Sequence, residues 1–546
     1  MKKRNTIYYE FYKIGQQEAL VGMGTRTLGN TSITTGIDTV PTMTLTIPLE
    51  DLPEEVVVLD GEPNLALYLI KVYIHTEGKL KYKFIGTIDN MDIDYANYNI
   101  SFNLSHRVAR MREWLMPSGF VCKNMPLSHL IGKDGVDLGY SSTISSMSQT
   151  YKATVEFEYQ DGAENYVMEI NFSSTDKLSA LSEILKNTFD LHFIVDLGDN
   201  EGDKIIIGKF GGNSGVFISS QPFYTEGECE TQSDNYLTML TEPQYAVDYT
   251  GHFNRAAVFC GDIAESVMHL TLKEIYDRPD IQKELAQYQD ANGAWHAAFS
   301  VGMYDKEIYL QPETEYEPLK DNDTKYYNTT KINNEKVYEN LDVVAYADNT
   351  NREYYVTDQE QFNRDGVILH TVFNFTDLTP IPELEEEIGE GENKETIEHP
   401  ITDKDRLEIA KRAYIRACRK LKSQRPQKVW QFNTTPLPHG FQIGNKAELY
   451  YIKKVLIQDP DCGEKEKEVA RVNKSFYVTK VVMSFDEEVN EYNSITLDNE
   501  LRYRDAPIDE WKLSGNVKGS DGSTGSTWEA GHSHTDKWDN NLLDNI

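Results

Sequence analysis

The sequence predicts a mainly β protein with α+β insertions, in which two related small β-barrels enclose a helix-plus-hairpin domain and an irregular middle. Three observations predict it. A motif over residues 84–104, FIGTIDNMDIDYANYNISFNL, returns over 476–498 as FYVTKVVMSFDEEVNEYNSITLD, with Phe84, Thr87, Met91 and Asp94 matched by Phe476, Thr479, Met483 and Asp486. Short alternating runs surround both copies, as half-buried strands require. One capped amphipathic helix opens at Thr402 and leads into the second copy.

The first barrel takes residues 1–114. Met43, Leu45 and Ile47 share one face of one strand and Ile100, Phe102 and Leu104 one face of another, with DLPEE and DGEPN as turns between runs. Residues 115–242 form the α+β domain. There Asp176 caps KLSALSEILKNTF, whose Leu178, Leu181, Ile184 and Leu185 make an apolar stripe, and LHFIVDLGDNEGDKIIIGKF folds back at Gly198 to Gly202. The second barrel is assigned 243–261 together with 401–510, and the polar, tyrosine-rich segment 262–400 is inserted into it. Within the insertion PELEEEIGEGENKETIE lacks a sustained apolar period and reads as an acidic loop. Residues 511–546 are a Gly/Ser tether and a short polar tail.

The 402–424 segment, TDKDRLEIAKRAYIRACRKLKSQ, pairs Thr402 with Asp405 three residues on and puts Leu407, Ala410, Tyr414, Ala417 and Leu421 on one face. Its basic residues offer two readings. Arg412, Arg416, Arg419 and Lys420 form either a positive patch for an acidic partner or a solvated face that suits the helix C-terminus and the preceding acidic loop.

A length of 546 residues implies several cores, and 39% hydrophobic residues with 33 Tyr and 21 Phe suffice to fill them. The 88 acidic against 54 basic residues give a formal charge of −34, which excludes broad binding to phosphate backbones and suits solubility or a wall along which DNA slides. Cys122, Cys229, Cys260, Cys418 and Cys462 are scattered without CxxC spacing, so neither a disulfide framework nor a zinc site is expected. The opening MKKRNTIYYEFYKIG has no apolar core, and no run reaches the length of a membrane span.

Chemistry is sparsely encoded. The chain has no HExxH, GxSxG or P-loop, and its carboxylates are too many for their spacing to single out a catalytic pair. Catalytic and cofactor-binding residues are therefore not assigned. His532 and His534 are the one candidate metal pair. In an extended segment residues two apart point the same way, so three chains about an axis would offer six imidazoles to an octahedral transition-metal ion. The competing reading is a plain polar tail.

FIGTIDNMDIDY, DKLSALSEIL, DYTGHFNRAAVFCG, RLEIAKRAYIRACRKL, PHGFQIGNKAELYY and FYVTKVVMSFDEEVNEYNSITL, in this order over residues 7–500, resemble the central hub family of phage tail tips and baseplates. The family includes the hub of contractile baseplates and the N-terminal part of tail endopeptidase-like proteins of long-tailed phages. HSHTDKWDNNLLDNI is similar to strings at module joins in tail proteins of phages infecting Gram-positive hosts. The resemblance implies a homotrimer whose two barrels per chain make a pseudo-sixfold ring in the virion tail. The partners it implies are a distal tail or tube ring, the tape-measure protein, and tip fibre or receptor-binding proteins, with DNA only in transit. The chain departs from longer relatives in stopping soon after the tether, so a C-terminal lytic or carbohydrate-binding module is expected to be absent or encoded separately. Two other classes compete: a glycan or cell-wall hydrolase with its cleft in 262–398, and a carbohydrate-binding surface protein, which 11% aromatic content permits.

Overall fold

The computed structural model describes residues 5–13, 19–56, 68–113, 120–131, 155–172, 176–197, 203–220, 235–303, 354–375 and 402–502, apart from short gaps inside these ranges, together with 378, 386–388 and 395–397. The N-terminal module consists of β1 (Asn5–Lys13), β2 (Ala19–Gly24), β3 (Thr31–Gly36), β4 (Thr42–Pro48), β5 (Tyr68–Thr76), β6 (Lys79–Asp94) and β7 (Asn99–His106). Their pairing is antiparallel in the order β3-β4-β7-β6-β5-β1-β2. Met43, Leu45, Ile47, Ile100, Phe102 and Leu104 all fall in its core, as the alternation requires.

The α+β unit follows with β8 (Phe120–Pro126), β9 (Val155–Tyr159), β10 (Val167–Phe172), β11 (His192–Asp196) and β12 (Asp203–Gly208). β11 and β12 form the expected antiparallel hairpin, and β9 runs parallel to β12. The helix Lys177–Lys186 begins where Asp176 accepts from the Ser179 N–H at 2.9 Å and from its hydroxyl at 2.6 Å. Leu178, Leu181, Ile184 and Leu185 are buried in a core shared with Leu69 and Ile85 of the N-terminal module. The chain then leaves the unit. β13 (Asn213–Ser219) and β15 (Gln244–Asp248) pair with C-terminal strands, and β14 (Tyr236–Thr238) pairs with β13.

The middle is a separate four-stranded sheet of β16 (Arg255–Cys260), β21 (Phe299–Met303), β22 (Tyr354–Asp358) and β23 (His370–Phe375), in the order β21-β22-β16-β23. Two-stranded pairs accompany it: β17 (Asp262–Ile263) with β18 (Ser266–His269), and β19 (Gln287–Gln289) with β20 (Trp295–Ala297). In the segment read as an acidic loop, β24 (Glu386–Ile388) pairs with β25 (Glu395–Ile397). The long helix Asp403–Ser423 starts with a capping box between Thr402 and Asp405. Its Ala410, Ala413, Tyr414, Ala417 and Leu421 are buried with Val258, Val356 and Phe373 of the middle sheet. Thus one helix both covers the insertion and leads into the C-terminal module.

That module is β26 (Gln427–Thr434), β27 (Lys446–Asp459), β28 (Gly463–Phe485) and β29 (Glu491–Asp498), joined by β13, β14 and β15. The expectation of two closed barrels needs correction. Among the described residues both modules belong to one 14-stranded sheet, and no ladder closes by continuous strand pairing. The cause is the 23-residue length of β28. Its first part pairs with β27, while its second part pairs with β29 on one edge and β3 on the other, which merges the modules. In the C-terminal module the Met239–Thr434 bridge, with Leu240 N to Asn433 O at 2.7 Å, Thr435 N to Thr238 O at 3.1 Å and side-chain bonds from Thr238 N to Thr435 Oγ1 and Asn433 N to Thr241 Oγ1, spans the gap between β14 and β26 without a continuous ladder. No helix among the described residues is long and apolar enough to cross a membrane.

Candidate functional site: a repeated hairpin and the seams around it

The repeated motif folds into two antiparallel hairpins, β6-β7 and β28-β29, each with an aspartate-anchored turn and one bulge. In each, an aspartate opens the turn. Asp94 Oδ1 accepts from the N–H groups of Ala96 and Asn97 at 3.0 and 3.1 Å, and Asn97 Nδ2 donates to Asp94 Oδ2 at 2.7 Å. Asp486 Oδ1 accepts from Glu488 and Asn490 N–H at 2.9 and 2.8 Å, and Asn490 Nδ2 donates to Asp486 Oδ2 at 2.8 Å. The asparagine amide and backbone bonds hold the Asp94 carboxyl below its usual range. Each turn also takes one non-glycine residue into the left-handed region, Tyr98 at φ 52° and Val489 at φ 60°.

Each hairpin also carries a bulge, at different offsets in the repeat: at Asp89, between the shared threonine and methionine, in the first copy, and at the shared threonine itself, Thr479, in the second. Thr87 and Met91 stand opposite Ser105 and Phe102, whereas in the second copy Lys480 and Met483 stand opposite Thr496 and Asn493. Both threonine hydroxyls donate across the ladder at 3.4 Å, Thr87 to Ser105 O and Thr479 to Thr496 O.

A dry ion pair joins the hairpins. Lys81 Nζ on β6 donates to both carboxylate oxygens of Glu491 on β29, at 2.9 and 2.8 Å, with the side chains 6% and 1% exposed. The same ammonium stands 4.9 Å over the Tyr82 ring, and burial together with the Glu491 charge pushes the Tyr82 phenol well up. Nearby, Asn5 Nδ2 donates to Val489 O at 3.0 Å, tying β1 to the second turn. A cavity of about 280 Å³ opens beside the pair where three units meet: Lys81 and Tyr82, Ile194 and Leu197, Phe441 and Val481. Two charges out of water are costly unless fully paired, so such a pair sets register more than it adds stability.

A second seam binds the α+β unit. His192 Nδ1 lies 2.6 Å from Asp38 Oδ2, and Phe193 N–H donates to Asp38 Oδ1 at 2.9 Å, both side chains being buried. Burial raises the Asp38 carboxyl, but the His192 contact and the Arg419 charge outweigh it and bring it below its usual range. Burial also holds His192 below its ordinary value, against the pull of Asp38. The pair is therefore a neutral imidazole donating to a carboxylate.

The four basic residues singled out on the 403–423 helix divide. Arg419 is buried and donates to Thr188 O at 2.8 Å, Thr188 Oγ1 at 3.1 Å and Leu191 O at 2.7 Å. Arg416 is buried as well and donates to Asn187 Oδ1 at 2.9 Å and Glu183 Oε1 at 2.8 Å. Instead of facing solvent, these two tie the long helix to the last turn of the 177–186 helix and to the segment that follows it, Arg416 through the side chains of Glu183 and Asn187 and Arg419 through the carbonyls of Thr188 and Leu191. Arg412 is half-buried, and Lys420 Nζ sits 4.9 Å over the Phe373 ring. A third junction escaped the sequence reading. Arg425 donates to Asp358 at 2.7 and 3.2 Å and to Glu500 at 2.9 Å, while His252 bridges Asp365 at 2.7 Å and Gln424 O at 3.1 Å. No local motif marks these residues, since their partners are 60 or more positions away in sequence.

His532 and His534 lie outside the described residues. Among those described, no group of three or more His, Cys, Asp or Glu side chains is arranged to hold a metal ion.

No protein-family model matches the chain, and no curated protein matches it by sequence. It is similar to solved structures of the prophage tail protein gp18 from Listeria monocytogenes, at 8% identity over 94% of this chain and 100% of that one, with a TM-score of 0.40. It is similar to the tail protein from Neisseria meningitidis at 6% identity over 92% of this chain and 98% of that one, TM-score 0.42. The E. coli c3393 protein, a type VI secretion component described as similar to T4 tail proteins gp27 and gp5, matches at 8% identity over 91% of this chain and 73% of that one, TM-score 0.32.

Proposed function

We propose that this chain is the structural hub of a phage tail tip, a homotrimer that closes the tail tube, adapts its sixfold symmetry to threefold tip or fibre proteins and opens for DNA ejection. The observation that carries this reading is the repeated hairpin, alike in its Asp-Asn turn bonds and in a cross-strand threonine bond within one polypeptide. Three copies of such a chain present six equivalent hairpins, which is the simplest way for a threefold object to meet a sixfold one. The merging of both modules into one sheet serves the same end, because it fixes their relative orientation within a subunit. A lumen of this composition repels DNA: a trimer carries about a hundred formal negative charges.

The test is the mass and symmetry of the purified protein. Light scattering is expected to give three copies, and rotational averages of particle images a ring with a sixfold component. A monomer at micromolar concentration, or a ring without that component, would remove the proposal. Zymography separates the hydrolase reading, since a structural hub leaves host cell wall uncleared.

A further inference from the structure

The two hairpins differ along one edge. In the second copy β27 accompanies β28 as far as Tyr477, and from Lys480 to Phe485 β3 takes over the same edge, antiparallel, with Lys480 opposite Gly36 and Phe485 opposite Thr31. In the first copy β5 stands where β27 does and leaves β6 at Thr87. Beyond it, over residues 88–94, β6 pairs with β7 on one side, and among the described residues no strand takes up the other. Burial follows the same difference. Met483 and Phe485, beside β3, are 2% and 1% exposed, whereas Met91, the counterpart of Met483, and Ile93 are only partly buried against the same core.

The repeat also points to the strand that fits this edge. β3 reaches the hairpin of its own module in the order β3-β4-β7-β6, each pair antiparallel. The C-terminal module has the same antiparallel order in β15-β26-β29-β28. β15 is thus the counterpart of β3. Yet β3 is largely buried between two neighbours, while β15, among the described residues, pairs with β26 alone and is exposed at every position from Gln244 to Val247. A short strand of Tyr, Ala and Val with an open edge is a template for pairing with another chain.

We infer that β15 of one subunit pairs with residues 88–94 of β6 in the next, antiparallel, as β3 pairs with β28 within a subunit. The occupant is a second copy because the chain's own β15 is held on β26, at the far end of the path β15-β26-β29-β28-β3-β4-β7-β6 from the edge it would fill. The two ends of that path are different strands, so the contact is head-to-tail and closes into a ring about an axis. In a ring of three, junctions inside chains alternate with like junctions between them. A foreign strand on either edge would leave the other uncovered. The inference rests on the proposal of a cyclic hub and assigns its subunit contact.

Cysteine pairing tests it on the full chain. Asp92→Cys is combined in turn with Gln244→Cys, Tyr245→Cys, Ala246→Cys and Val247→Cys, all at exposed positions, so that each alignment of the two strands is sampled. A disulfide needs Cβ atoms about 4 Å apart, so at least one combination is expected to give covalent dimers and trimers on a non-reducing gel, above the level of the single-cysteine parents. As a second measurement, Ala246→Asp with Val247→Asp sets charge against Asp92 and Asp94 and is expected to weaken association by more than about tenfold in sedimentation velocity, with an unchanged melting profile. No interchain disulfide in any of the four combinations, or wild-type association of the aspartate variant, overturns the β15–β6 contact while leaving a threefold hub standing. A monomeric wild type overturns both.

Discussion

The hairpins β6-β7 and β28-β29 are alike where they turn and unlike where they begin. Each has its aspartate, its asparagine, its left-handed residue and its bulge. Yet β6 is 16 residues long and starts inside the buried seam at Lys81, whereas β28 is 23 residues long and starts in an exposed arm. What is common to the two copies lies near the turns, where three chains would present six equal elements. What differs lies at the far ends, one joining the modules through Lys81 and Glu491 and the other exposed at Leu456, Ile457 and Val469. The comparison teaches that a repeated unit can keep its turn and diverge at its far end.

The largest way to break this arrangement is to unpair the seam. Lys81→Met leaves Glu491 charged and buried, and is expected to cost about 3–5 kcal/mol in chemical denaturation. Lys81→Met combined with Glu491→Leu removes both charges and should recover most of it. If the double variant is as unstable as the single, the pair is not acting as an isolated register device.

Next comes the junction that the long helix makes with the α+β unit. Arg419→Leu orphans the carbonyls of Thr188 and Leu191 and is expected to cost about 1–3 kcal/mol, with a change at the exposed Lys404, Lys404→Ala, close to neutral in the same assay. Equal costs would return Arg419 to the status of a surface charge.

The Asp38–His192 pair makes a pH prediction. His192 has a folded pKa below its ordinary value, so the unfolded chain takes the proton first and stability falls as pH drops below about 6.5. Asp38 is held below the usual carboxylate range, so its contribution is present above the unfolded pKa and lost as pH falls further. Both act in the same direction. Thermal melts from pH 7.5 to 4.5 should show a decline beginning near 6.5, and His192→Gln should flatten its upper part. An identical decline in that variant would assign it to other groups.

The smallest effect sharpens the comparison of the turns. Tyr98→Gly relieves a left-handed residue that is 74% exposed and should stabilise by about 1 kcal/mol. Val489→Gly relieves the same strain but removes a side chain packed against the core, so its gain should be smaller. A larger gain at Val489 would mean that the two turns are not energetically equivalent.

Local signals were legible in the chain. Asp176 and the Thr402–Asp405 box mark helix starts because capping is a contact over three residues. The alternation of Met43, Leu45 and Ile47 marks a core face for the same local reason. Sheet closure was not legible, because whether β28 ends a barrel or joins two modules depends on its partners at β3 and β27, hundreds of residues apart. For Arg416 and Arg419 the sequence offers a partner patch or a solvated face, both exposed, since charge ordinarily points outward, whereas the structure buries both side chains. Their spacing from Arg412, four and then three residues, is that of a face turned toward a neighbour, which was the available clue.

Electron-microscopic averaging of the purified full-length protein is expected to give rings of three subunits with six similar densities around the axis, two from each chain. Single particles carrying one copy, or trimers whose two modules sit at plainly different radii with no sixfold repeat, would contradict it.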